Sequence, residues 1–158
     1  MLMMSRDKDE ALCRVRYQLR LHFLHVRLYG RIRKCVALIS LALGSTALYG
    51  AFKENAAAVG LSGIIVAVLS ISDIVMDWSD RAARHGVWRR RMADVLARSH
   101  KLDTAAIERE LSQIEGEIDD EFESLRVPAM NDVLRSNGMD DAVRPEAAMQ
   151  RLFRILAA

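Results

Sequence analysis

Cysteine and proline are scarce in this chain, at two residues each among 158, and aromatic side chains make up only 6%. Cys13 and Cys35 sit in no CxxC or other metal-ligand spacing, so both are expected as free thiols. The prolines come late, at 128 and 145, and from Asp9 to Lys34 only Gly30 interrupts an otherwise helix-compatible stretch. The scarcity of aromatics weighs against single-stranded nucleic acid as a partner. Arg89, Arg90 and Arg91 have no interleaved rings on which bases would stack. Enzyme signatures are missing too: there is no GxGxxG, P-loop, HExxH or GxSxG. No strand-like alternation, internal repeat or low-complexity tract appears.

The most informative deficit is of charge in the middle of the chain. Cys35–Phe52 and Asn55–Ser72 carry none, and only Lys53 and Glu54 separate them. About 18 residues make a helix ~27 Å long, close to the ~30 Å hydrocarbon core of a bilayer. Neither run has a polar face of any width, unlike the helices of a soluble bundle. A membrane hairpin over 35–52 and 55–76 is therefore predicted, against the plainer alternative of a buried soluble hairpin. The short connection places the two helices antiparallel, with both chain ends on one side.

Cationic residues flank the hairpin. Arg27, Arg31, Arg33 and Lys34 precede it, and Arg81, Arg84, Arg89, Arg90 and Arg91 follow it. The positive-inside bias predicts both termini in the cytoplasm, here of a bacterial inner membrane. Asp73, Asp77 and Asp80 weigh little in that rule. Arg31, Arg33, Lys34, Arg81 and Arg84 are expected at anionic headgroups, with Trp78 as an interfacial anchor. No cleaved signal peptide is expected, because the first 34 residues are charged throughout.

The flanks read as helical arms. Met1–Lys8 is expected to fray, with Ser5, Asp7 and Asp9 as possible helix starters. Leu12, Val15, Leu19, Phe23 and Val26 form one apolar stripe, opposite Arg14, Gln18 and Arg20. The second span is expected to continue as helix through Asp73–Trp78, and after Trp78 a second stripe runs through Ala82, His85, Trp88, Met92 and Val95. The simplest packing lays these two arms antiparallel. Asp103 or Thr104 is predicted to cap a further helix whose seam, Ile107, Leu111, Ile114, Ile118, Phe122 and Leu125, continues to Val127-Pro128. A short helix started by Pro128 and closed by Asn137-Gly138, and a last one over Pro145–Leu156, would complete the chain. The predicted class is all-α: a two-helix transmembrane hairpin extending into an antiparallel cytoplasmic helical bundle (9–125), plus short C-terminal helices (126–158).

Three groups of residues invite functional readings. Ser40 with Gly44, Ala56 with Gly60, and Gly63 with Ala67 are each four apart, a spacing that lets helix backbones approach within a hairpin or between protomers. Asn55, Ser62, Ser70, Asp73 and Asp77 project near one face of the second span. In a ring of protomers they would line a path, the two aspartates giving a cation-favouring mouth. Alternatively, the serines bond back to helix carbonyls and the aspartates rest in the headgroup layer. Catalytic use of Asp73 and Asp77 would need partners that no other segment supplies, so no enzyme is expected. Of the four histidines, His22 and His25 share a helix face that His85 would approach if the arms pair. No recognised ligand spacing includes them, so interface residues or a pH-sensitive contact are read there and no metal or cofactor is expected.

The layout of hairpin, charged entry helix and Arg/His-rich exit helix, DWSDRAARHGVWRRRMADVLAR, resembles the SLATT-type two-transmembrane effector domains of bacterial conflict systems over roughly Ala11 to Leu125. The tail RVPAMNDVLRSNG is also similar to the ending of small two-span proteins carried by mobile elements. The first resemblance implies an oligomeric membrane effector, thought to open pores when a partner senses phage or a nucleotide signal, without catalytic residues. The lipid bilayer, further copies of the chain and a separate sensor or effector protein are the implied partners; nucleic acid is not. The competing expectation is a non-conducting anchor or scaffold whose cytoplasmic helices dock a soluble partner.

Overall fold

A computed structural model describes residues 2–119 and 121–157. The fold is all-α, and no strand occurs among the described residues. Helix α1 covers Leu2–Phe52, α2 Ala56–Met76, α3 Trp78–Arg98, α4 Thr104–Glu115, α5 Arg126–Ser136 and α6 Ala148–Ala157. Single 3-10 turns stand at Glu123–Leu125 and Asp140–Ala142. The chain divides into two units, Met1–Leu28 with Ala82–Ala158, and Tyr29–Arg81. The helix of α1 has already begun at Leu2, ahead of the expected start; Met1 lies outside the described residues.

The first unit is a helical bundle with its core between α1, α3 and α4. Ala11 and Val15 meet Trp88, Met92 and Val95 from α3, and Ile107, Leu111 and Ile114 from α4. The arms run antiparallel, as their stripes predict: Lys8 Nζ donates to the Leu102 carbonyl at 2.8 Å, and Val26 lies against Gly86. The buried surface of α1 is wider than the sequence stripe. Leu21, Leu24 and Leu28 are fully covered, and Gln18, expected on the polar face, is buried. Its amide donates to Glu115 at 3.0 Å. A helix packed by partners on more than one side needs more than one apolar stripe.

The seam after Asp103 is shorter than predicted. Asp103 does cap α4, accepting the Ala106 amide at 2.7 Å. The helix then stops at Glu115, where the Gly116 and Glu117 amides close back on Ser112 and Ile114. Ile107, Leu111 and Ile114 are core residues and Ile118 still packs on them, but Phe122 instead meets Phe153 of α6 edge-on at 4.6 Å. Val127-Pro128 does not end the preceding helix, which has already stopped at Glu115, but Pro128 does stand at the start of a new one, as read from the sequence: it is buried in the first turn of α5, where amides have no intrahelical acceptor to lose. Asn137-Gly138 closes α5 as read from the sequence: Gly138 takes φ +71° and the Met139 amide reaches the Leu134 carbonyl at 2.9 Å. The last helix starts at Ala148, three residues after its predicted Pro145.

The second unit is the hairpin. The last turn of α1 closes with the Asn55 amide on Gly50 and the Glu54 amide on Ala51, and Glu54 takes the left-handed φ of 55°. Asn55 caps α2 by accepting the Ala58 amide at 3.1 Å. The expected continuous exit helix is interrupted: α2 ends at Met76, Asp77 is left-handed with φ 44°, and α3 starts at Trp78.

Candidate functional site

Three features carry chemistry, one in the hairpin and two in the bundle. In the hairpin, both apolar helices pass the length and composition needed to cross a membrane, and only 6% of each apolar window is buried within the chain. Leu38, Leu41, Leu48, Ile64, Ile71 and Ile74 are all exposed. Hydroxyls on this surface turn back to their own helices: Ser45 bonds Leu41, Thr46 bonds Ala42 and Ser72 bonds Val68 at 2.8–3.0 Å.

The predicted polar stripe does not form one open face. Ser62 is buried inside the hairpin, because it falls on the side of α2 facing α1. Asn55 is spent on its cap, Asp77 on the break between α2 and α3, and Ser70 is exposed. Asp73 is half-buried, and its carbonyl accepts the Asp77 amide at 3.0 Å. The close approach within the hairpin comes at Gly50, where an added Cβ would lie 3.1 Å from that of Ala58. Nothing lies within 4 Å of such an atom at Gly44, Gly60 or Gly63, and Ala56 and Ala67 are exposed. Ser40 and Gly44 are half-buried. The four-apart pairs therefore do not pack this hairpin together, and Gly50 was missed although Thr46 stands four positions before it on α1.

Of the headgroup candidates, Arg33, Lys34 and Arg84 are exposed, and Arg31, Arg81 and Trp78 are half-buried. Trp78 leans on Tyr29 with ring centroids 5.7 Å apart, and Arg81 donates to the Met76 carbonyl at 2.8 Å. That bond satisfies a carbonyl freed where α2 ends.

In the bundle, His22, His25 and His85 come together, as arm pairing predicts, and all three are buried. One ring nitrogen from each falls within 4.8 Å of the others. The Nδ1 atoms of His22 and His85 are 2.9 Å apart, a distance that requires a proton between them when no other cation is there. His25 stacks on His85 with centroids 4.2 Å apart, and Trp88 meets the His85 ring edge-on. His25 Nδ1 lies 2.8 Å from the Leu21 carbonyl, which fixes the proton there; Nε2 then accepts the Phe122 amide at 2.8 Å. That amide is available only because α4 has ended, since inside a helix it would bond four residues back. Burial, and then the nearby His25, push the His22 pKa down to about 4, so its ring stays neutral at physiological pH.

A third feature lies beside this cluster. Arg16, Arg20, Arg89 and Arg135 surround a groove of about 590 Å³ floored by Leu19, Phe23 and Val133. Asp132 holds Arg20 at 2.7 Å. The guanidinium groups of Arg20 and Arg89 both lie over the Phe23 ring, so the arginine run read from the sequence has one aromatic partner from another helix.

No family model, curated protein or solved structure matches this chain.

Proposed function

We propose that the protein is a non-catalytic, oligomeric effector of the bacterial inner membrane that permeabilises it in a defence or conflict system, with both termini cytoplasmic. One observation carries this reading: two charge-free helices leave nearly all their apolar surface uncovered within the chain. Lipid removes that surface from water, and contact between copies removes more of it. Gly60 and Gly63 present open backbone at which a neighbouring helix would approach closely. Cationic side chains on both flanks favour anionic headgroups on one side.

The test is reconstitution. Protein in liposomes should release an entrapped ion or dye, and replacing Asp73 and Asp77 together with Asn should alter ion preference. Asn is chosen because it tolerates the left-handed backbone at residue 77. Particles that assemble yet release nothing would refute the pore. The second reading, an anchor that docks a soluble partner, is favoured by α6. Met149, Leu152 and Ile155 leave that helix's apolar side exposed.

A further inference from the structure

The histidine cluster holds more than interface packing. We propose that His22, His25 and His85 bind one divalent transition-metal ion of the zinc class and that this ion pins α1 to α3. The site is independent of any pore activity.

His22 and His25 are three residues apart on α1, so the helix presents both imidazoles on one side. His85 comes from α3, which runs antiparallel beside it. The two Nδ1 atoms are already within 2.9 Å. Zinc–nitrogen bonds of about 2.0–2.1 Å in a tetrahedron separate the nitrogens by about 3.3 Å, so an ion opens this pair only slightly. The ion takes the place of the shared proton, because it too attracts both lone pairs, and the ring that carried that proton takes it on Nε2 instead.

His25 is prepared for the same role. Its Nδ1–H on the Leu21 carbonyl is the outer hydrogen bond that metal-ligating histidines use to hold their tautomer, and it leaves Nε2 as a lone pair. The Phe122 amide occupies that lone pair here, and the ring must leave it and tip off His85 to reach the ion. The chain around Phe122 lies outside regular α-helix, so the amide can move away.

The tautomer of His22 is free to suit the ion. Its Nε2 is buried with no hydrogen-bond partner, so no protein group fixes the ring proton, which can sit on Nε2 and leave Nδ1 as a lone pair. Three imidazoles without a thiolate or carboxylate suit zinc, nickel or copper(II) rather than magnesium or calcium. A fourth position remains for water.

The experiment uses the whole chain purified in detergent, stripped with chelator and titrated with Co²⁺ as a visible probe, then with Zn²⁺ as competitor. The expected result is one Co²⁺ per chain with strong ligand-field absorption, abolished by one equivalent of Zn²⁺. His22→Leu and His85→Leu should each weaken Zn²⁺ binding by at least about 100-fold. His100→Ala and Cys13→Ser should leave it unchanged. X-ray absorption on the zinc-loaded wild type covers the case in which a leucine variant fails to fold; three imidazole nitrogens are expected. Absence of stoichiometric binding, a shell with fewer imidazoles, or binding that follows His100 or Cys13 overturns the proposal.

Discussion

Glu54 stands where a helix C-terminus ordinarily places glycine. Its φ of 55° brings a β-carbon too close to the backbone, at a cost of about 1–2 kcal/mol. Glu54→Gly should therefore stabilise the hairpin by up to about 1 kcal/mol, since part of the relief is offset by the greater freedom of glycine in the unfolded chain. Thermal melts in one detergent would measure this, and a clear destabilisation would count against the turn. His22 sets a second expectation at this scale. Its folded pKa of about 4 lies below the unfolded value near 6.5. Between those values the unfolded chain binds the extra proton, so stability is complete above pH 6.5 and falls as pH drops toward 4. The slope is about 1.4 kcal/mol per pH unit over that window in metal-free protein. The groups facing His22 are His25, His85 and Trp88, none of them anionic. Carboxylates elsewhere add their own slope, so the measurement is the difference between wild type and His22→Leu from pH 7 to 4.5. An unchanged slope would contradict a neutral buried ring.

Among the elements, α5 shows how one side chain organises a segment without regular structure. Asn131 is fully buried; its amide donates to the Arg144 carbonyl at 2.8 Å and its oxygen accepts the Arg144 amide at 2.9 Å. Asn131→Ala leaves both backbone groups without that partner and should cost about 1–3 kcal/mol. Faster hydrogen exchange across residues 139–157, with α1 and α3 unaffected, is the expected signature. Nothing in the sequence singles out Asn131, because an asparagine inside a helix reads as an exposed polar position until its partner 13 residues away is known. The end of α4 was equally hidden. The apolar spacing continues past Glu115, yet Ile118 and Phe122 find their burial without helix, and spacing alone does not separate the two outcomes.

At the scale of the molecule, the division into two units places residues from both ends of the chain in one bundle. A fragment of residues 79–158 would lack Ala11, Val15, Leu21 and Leu24, which are core residues, and should not fold alone. A chain in which a short Gly/Ser linker replaces residues 29–81 should fold as a soluble helical bundle, because Val26 and Gly86 already adjoin. Circular dichroism and sizing without detergent would test this, and aggregation of the shortened chain would show that the bundle depends on the hairpin. The same protein separates the two functional readings: an anchor's partner should still bind it, whereas liposome release should be lost.

The sequence by itself determined that the fold is helical, where the turn between the apolar runs falls, that α4 is capped at Asp103 or Thr104 and α5 closes at Asn137-Gly138, and that the arms pair. These follow from local signals: uncharged runs, capping side chains, a glycine suited to positive φ, and apolar residues at helical spacing. Only the tertiary structure decided that Gln18 is buried, that Ser62 faces into the hairpin, that Gly50 is the close approach, and that the Phe122 amide reaches the histidine cluster that arm pairing implies. Each of those depends on which residue of a distant helix lies opposite. Contacts across 60 to 100 residues, as at Gln18 and the histidines, leave no periodic trace in the chain that makes them, and the eight residues from Gly50 to Ala58 include a turn that breaks the helical period.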